Sequence, residues 1–276
     1  MSKRREPDPR KARSLAKLTR WSRWRLRRAI DWQRQFEPRP TRPGWGATAI
    51  FAIGIAGCEA DNHIMRHQFA SDTWAPMCPA AIHALIEAST RGHVEPYGDD
   101  PWTHQAAVLV RELFEKPDLE LFFVPTGTAS NALALASMCQ SYHSVICHQH
   151  AHIETDECGA PEFASNGTKL LTVHGENGKL TPDAVERMVL RRQDIHYPKP
   201  KVVSLTQATE VGTVYRLDEI AAIAAVAKRH GLHVHLDGAR FSNAIAHLGC
   251  SPAAATWQVG VDVLCFGGTK NGLGIG

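Results

Sequence analysis

Residues 235–243 read H-L-D-G-A-R-F-S-N, and residues 261–272 read V-D-V-L-C-F-G-G-T-K-N-G. Each run is a short apolar stretch of strand length that stops in a glycine-rich or polar turn. The first turn carries Asp237 and Arg240, the second Thr269 and Lys270. Two strands of one sheet that end near each other bring such a carboxylate and such an amine to the crevice at the sheet's carboxyl edge. That pairing suits pyridoxal phosphate. A lysine binds the cofactor as a Schiff base, and an aspartate keeps the pyridine nitrogen protonated so that the ring accepts electrons. On unrelated surface loops the same two residues would mean nothing, so the rest of the chain decides.

Upstream, residues 121–124 (L-F-F-V) read as a strand that enters P-T-G-T and then the helical pattern A-S-N-A-L-A-L-A-S-M. A strand, a small-residue turn and a helix start gather free N–H groups and the positive helix end, as a phosphate requires. Gly127 and Thr128 are therefore the candidates for gripping it. Residues 144–147 are the next strand and lead into H-Q-H-A-H. Alternation by two would set His148, His150 and His152 on one strand face, which raises a metal site. No carboxylate or cysteine is clearly spaced to complete one, so no metal is expected. A flat imidazole stacked on a pyridine ring is the reading for His152.

Further strands are expected at 169–173, 202–205 and 232–236, with helices at 79–89, 102–116, after Thr181, and at 217–230. Short helices are expected at 241–247 and 252–258. Strands alternating with helices at this rhythm predict an α/β fold with a mostly parallel, doubly wound sheet.

Composition sets the outer limits. A 276-residue chain that is 43% hydrophobic and 21% charged can bury a sizeable core, in one large domain or two smaller ones. Its seven cysteines are odd in number and form no C-x-x-C pair, which fits a reducing, cytoplasmic setting better than a disulfide framework. No apolar run reaches the roughly 18 residues of a membrane span. The net charge of +3 hides a division: residues 1–43 hold 15 Lys/Arg and 4 Asp/Glu, leaving 16 and 24 for the rest.

Arginines interleaved with Trp21, Trp24 and Trp32 could bind nucleic acid or an anionic membrane surface. The apolar run 47–58, ending at Cys58, looks like a signal segment, yet its basic leader far exceeds the roughly 15–30 residues of a whole signal peptide. The expectation is that residues 1–64 are an extension, or upstream sequence translated ahead of a natural start at Met65. Residues 65–276 are then the cofactor-binding large domain.

With S-D-T, Y-G-D-D-P-W-T, V-P-T-G-T-A-S-N, H-I-E-T-D-E-C-G-A-P-E-F, D-I-H-Y-P, T-Q-A-T-E-V-G-T-V-Y, D-G-A-R and F-G-G-T-K-N-G in order, the chain resembles the low-specificity L-threonine aldolases. The resemblance covers about residues 69–276. It implies the aspartate-aminotransferase-like fold (type I) and the cofactor pyridoxal 5'-phosphate. It also implies cleavage of L-threonine, L-allo-threonine and related β-hydroxy-α-amino acids to glycine and an aldehyde.

Carried over residue by residue, the resemblance makes Lys270 the Schiff-base lysine and Asp237 the partner of the pyridine nitrogen. Arg240 contacts the ring hydroxyl, Gly127 and Thr128 cradle the phosphate, and His152 stacks on the ring. His196 in D-I-H-Y-P is the second active-site histidine, Ser71 lies near the substrate carboxylate, and Tyr97 belongs to the Y-G-D-D-P loop. Either histidine, or a bound water, could take the β-hydroxyl proton. The partners implied are an amino-acid substrate and further copies of the chain, as a dimer or tetramer; neither nucleic acid nor membrane is expected.

The family continues past the position of Gly276 into a smaller C-terminal domain that supplies an arginine for the substrate carboxylate. Residues 65–276 alone are accordingly expected to be poorly soluble or inactive. Glycine hydroxymethyl transfer, β-elimination, an inactive fragment and a nucleic-acid-binding protein led by residues 1–43 are the competing readings.

Overall fold

In the computed structural model, residues 70–275 are described. The expected extension at 1–64, and the proposed start at Met65, lie outside them. Thirteen regular elements occur in chain order. They are α1 (Pro79–Thr90), α2 (Pro101–Leu113), α3 (Gly127–Met138), β1 (His143–His148), α4 (His152–Thr155), α5 (Ala160–Ala164), β2 (Lys169–Val173), α6 (Pro182–Leu190), β3 (Lys199–Thr206), α7 (Leu217–Arg229), β4 (His233–Gly238), α8 (Phe241–Leu248) and β5 (Val263–Phe266).

The five strands form one all-parallel sheet in the order β2-β1-β3-β4-β5. Chain progression reverses between β1 and β3, and a doubly wound sheet opens its crevice at the carboxyl ends on either side of such a point. The fold class is the one expected.

Local chemistry explains most boundaries. Proline stands at the first helical position of α1, α2 and α6, where its missing N–H costs nothing. Side chains of Asp100, Thr126 and Thr181 cap α2, α3 and α6 by accepting a backbone N–H three residues on. The central strands are buried almost throughout, as a sheet covered on both faces must be. Against it α7 lays Ile220, Ile223 and Val226, with Tyr215 and Phe241 alongside in the same core.

Ile223 has no exposed surface. Ile223→Ala is expected to lower the unfolding free energy by about 2–5 kcal/mol, since it removes buried methylenes and leaves a cavity. Ile82→Ala on α1, a helix with no buried residue, is expected to change it by less than about 0.5 kcal/mol. Urea denaturation of both variants checks the contrast.

Two expectations are corrected. Residues 121–124 are not a strand, and Phe122 and Phe123 are exposed; β-propensity without a neighbouring strand to pair with does not make one. Residues 252–258 are turns ending in a single 3-10 turn, Trp257–Val259, instead of a short helix. The segment after Lys270 is turn structure in which Gly272 and Gly274 adopt left-handed φ of 92° and 72°. Among the described residues no helix is long and apolar enough to cross a membrane.

Candidate active site

Two neighbouring strand ends deliver the ends of the site. β4 places Asp237 one residue before its end, in register with Thr206 of β3 and Cys265 of β5. Gly238 comes next because nothing larger fits: a Cβ there would meet Leu264 Cδ1 at 2.7 Å and the Cys265 carbonyl oxygen at 2.9 Å. β5 runs into the 3-10 turn Thr269–Asn271, which carries Lys270. Asn271 anchors that turn. Its amide nitrogen donates to the carbonyls of Ala239 and Gly267, and its oxygen accepts from the Ser242 N–H.

Asp237 is 5% exposed, and both of its oxygens are engaged. Oδ1 accepts from the Ala239 N–H at 3.0 Å and Oδ2 from Asn131 Nδ2 at 2.8 Å. The same Asn131 nitrogen donates to Glu157 Oε1 at 2.7 Å, and that oxygen also faces His152 Nδ1 at 2.9 Å. A continuous line of polar groups, Asp237–Asn131–Glu157–His152, therefore runs through the carboxyl edge. Behind His152, Glu210 Oε1 accepts its backbone N–H at 2.9 Å and the Thr206 hydroxyl at 2.8 Å.

The hydrogen bond to Glu157 holds the His152 imidazole above its ordinary pKa. Partial burial opposes this, the charges of Glu157 and Asp237 add to it, and Lys270 works against it. The direction has a consequence for stability. Below the unfolded-state value near 6.5 the imidazole is charged both folded and unfolded, and its attraction to Glu157 and Asp237 favours the fold in full. As pH rises through the higher folded-state value, that contribution is lost. The urea midpoint of the wild-type protein is expected to fall, relative to His152→Gln, as pH rises from about 6.5 through that value. An identical pH dependence in the two proteins would contradict it.

The remaining candidates sort into three groups. Gly127 and Thr128 open α3, a 12-residue helix whose N-cap Thr126 accepts the Ala129 N–H, and a Cβ on Gly127 would meet nothing within 4 Å. That is open space in front of a helix N-terminus.

Arg240 instead reaches Asp72: Nε lies 2.5 Å from Oδ2 and Nη2 lies 3.3 Å from Oδ1. Lys270 Nζ is 3.7 Å from the same carboxylate. Burial resists the charge on Asp72, but the Arg240 hydrogen bond and the two nearby cations hold its pKa below the usual carboxylate range. Ser71 caps the turn Asp72–Trp74, accepting the Thr73 N–H, and so supports the turn that carries Asp72.

Two candidates stand apart. Tyr97 is 93% exposed on a turn. His196 is exposed in the turn just before the amino end of β3, opposite the edge that holds Asp237 and His152. At about 3.3 Å per residue, the eight residues of β3 put roughly 25 Å between His196 and that edge. The chain does not bring His196 to the site. Nor do three histidines share a strand face: β1 ends at His148, and His152 opens α4. His148 uses both ring nitrogens on the backbone of His150 and Gly175.

Asn131, Glu157, Asp72 and Glu210 went unassigned in the sequence, although all four lie inside the quoted motifs. Asn131 sits one turn beyond Gly127 on α3, so a strand–turn–helix reading that continued inward along the helix could have found it.

The donor set points to the kind of group it would hold. His152, Glu157 and Asp237 have ligand atoms within 4.8 Å of one another. Asn131 Oδ1 and Glu157 Oε2 are buried with no hydrogen-bond partner. Two buried carboxyl groups and unused acceptor oxygens ask for a cationic N–H, because a buried charge without a partner is costly. A protonated pyridine nitrogen supplies one, the open N-terminus of α3 suits a phosphate, and Lys270 is the amine at the neighbouring strand end. The residues fit pyridoxal phosphate.

A family model described as beta-eliminating lyase matches residues 68–276. A low specificity L-threonine aldolase of Pseudomonas aeruginosa is 64% identical over 209 residues, covering 76% of this chain and 60% of that protein. An enzyme of the same name from Escherichia coli is 29% identical over 74% of this chain and 59% of its own. Among solved structures, a threonine aldolase of Leishmania major superposes with a TM-score of 0.68 at 32% identity, over 74% of this chain and 59% of that one. The chain thus spans about 60% of the length of the curated relatives it matches. With three quarters of its sequence under the family model and the polar line assembled at the edge of its parallel sheet, the chain belongs to the beta-eliminating lyase family.

Proposed function

We propose that the protein cleaves L-threonine, L-allo-threonine and related β-hydroxy-α-amino acids to glycine and an aldehyde, with pyridoxal 5'-phosphate as cofactor. One observation carries this reading: the line Asp237–Asn131–Glu157–His152 lies at the strand edge that also delivers Lys270. The 64% identity to an enzyme named for the reaction supports it.

Lys270 would supply the amine for the cofactor's aldehyde, Asp237 would hold its ring nitrogen, and the N–H groups of Gly127 and Thr128 would receive its phosphate. When bound, the cofactor supplies an electron sink for the pair released as the Cα–Cβ bond breaks. His152 is the group that takes the β-hydroxyl proton. Its Nδ1 is occupied by Glu157, which leaves Nε2 for the transfer. Arg240 and Asp72 hold the Lys270 side of the site by charge, and Ser71 lies in the same turn for the substrate carboxylate.

Incubation of the intact enzyme with cofactor and L-threonine is expected to release acetaldehyde and glycine in equal amounts. Formation of 2-oxobutanoate and ammonia in their place would make the reaction a β-elimination, the second reading, which the family description favours. A readout independent of turnover is borohydride fixation of the cofactor on the peptide that contains Lys270.

A homo-oligomer completes the proposal. α1 and α2 have no buried residue, and they expose Leu85, Ile86, Val108 and Leu109. Light scattering that finds a monomer would overturn it. The six cysteines among the described residues are free, which supports a cytoplasmic setting.

A further inference from the structure

We infer that Glu157 is a positioning residue that fixes the tautomer of His152, with Asn131 clamping its carboxylate in place. The inference rests on the reading of His152 as the proton acceptor and deepens it.

The geometry leaves few alternatives for the protons. Glu157 is 3% exposed, and its side chain is fully buried. Its Oε1 meets Asn131 Nδ2 at 2.7 Å and His152 Nδ1 at 2.9 Å. An amide nitrogen only donates, so Oε1 is an acceptor toward Asn131. Asn131 Nδ2 has two hydrogens and two carboxylate partners, Glu157 Oε1 and Asp237 Oδ2, so its orientation is set by chemistry: turning the amide would set oxygen against oxygen on both sides. Glu157 is thereby held as an acceptor for the proton on His152 Nδ1. The neutral imidazole carries its proton there and presents the lone pair of Nε2.

This is the orienting arrangement in which a buried carboxylate holds a histidine in one tautomer and stabilises its protonated form. The other groups facing His152 are Asp237 from β4 and Lys270 beyond β5, with opposing charges, and Glu210, whose Oε1 holds the backbone N–H. Glu157 is the one whose hydrogen bond and charge both act on the ring.

The arrangement also ties the two ends of the site together. Asn131 stands on the helix whose first turn faces the phosphate space, and it joins the carboxylate at the ring-nitrogen position to the one behind the base. A shift of α3 would move both carboxylates at once.

The test is nitrogen NMR on the 276-residue protein without cofactor, labelled at histidine. In the wild type, the neutral form of His152 is expected to carry its proton on Nδ1, with a titration midpoint above that of a free histidine. Glu157→Gln keeps an oxygen for both hydrogen bonds and removes the charge; the midpoint is expected to move to lower pH with the Nδ1–H tautomer retained. In cleavage assays of the loaded enzyme, the acid limb of kcat/KM moves in the same direction. A neutral His152 protonated on Nε2, or a midpoint that Glu157→Gln leaves in place, overturns the inference. The wild-type tautomer decides even if the variant does not fold. The failure of the underlying reading looks different: His152→Phe that cleaves L-threonine at the wild-type rate removes His152 as the base, whatever the NMR shows.

Discussion

Lys270→Ala is expected to abolish borohydride fixation of the cofactor and to lower acetaldehyde release by about a thousandfold or more, the scale on which loss of a covalent catalytic group acts. The fold is expected to survive the change. The turn that carries Lys270 is held by Asn271, not by the lysine, through bonds to Ala239, Gly267 and Ser242. The charge contact of Nζ with Asp72, at 3.7 Å and with Asp72 44% exposed, is worth no more than about 1 kcal/mol. A urea midpoint near that of the wild type alongside lost activity therefore separates chemistry from structure. The substitution has a second effect at a distance. Among the described residues Lys270 is a charge that lowers the His152 pKa, so its removal lets the imidazole rise further, and the His152 titration is expected to move to higher pH. A Lys270→Ala protein that still fixes cofactor on this peptide would contradict the assignment of the amine.

The frame of this site was legible in the sequence because strand ends and helix starts leave local signatures. The strand read at residues 232–236 delivers Asp237, one residue before its end at Gly238, and the helix after P-T-G-T was visible from its run of small residues. What stayed hidden depends on pairing across long separations. Asn131 meets Glu157 26 residues away and Asp237 106 residues away, and no periodicity encodes either contact. Asp72 meets Arg240 over 168 residues.

His196 shows the opposite failure. Its motif is distinct, but a motif does not say at which end of a strand it lies. D-I-H-Y-P precedes β3, while the site is built from residues at the carboxyl ends of the strands and in the turns beyond them. The histidines at 148, 150 and 152 were grouped by a period of two that holds only while the strand continues; β1 stops at the first of them. Residues 121–124 have the composition of a strand, yet a strand is defined by its neighbour.

Asp237→Asn should be more damaging than the loss of one charge suggests. Both oxygens of Asp237 are acceptors, from the Ala239 N–H and from Asn131 Nδ2. An asparagine has one oxygen to offer, so one of the two donors must face an amide N–H₂ in a buried site. Leaving a buried donor unsatisfied costs about 1–3 kcal/mol, and this loss is expected in the unfolding free energy of the protein even without cofactor. Removing the charge costs the cofactor separately. A buried ion pair that loses one partner is weakened by about 3–5 kcal/mol, or roughly two to four orders of magnitude in cofactor affinity or turnover.

The effect reaches His152 as well, because Asp237 is one of the charges that raise its pKa; its midpoint is expected to fall in the variant. Cofactor titration, urea denaturation and the His152 titration thus read three consequences of one substitution. Weakened cofactor binding at unchanged stability would keep Asp237 as the charge partner but remove the hydrogen-bond argument. Unchanged cofactor binding would remove Asp237 from the ring nitrogen, and with it the reading of the crevice that began from its spacing to Lys270.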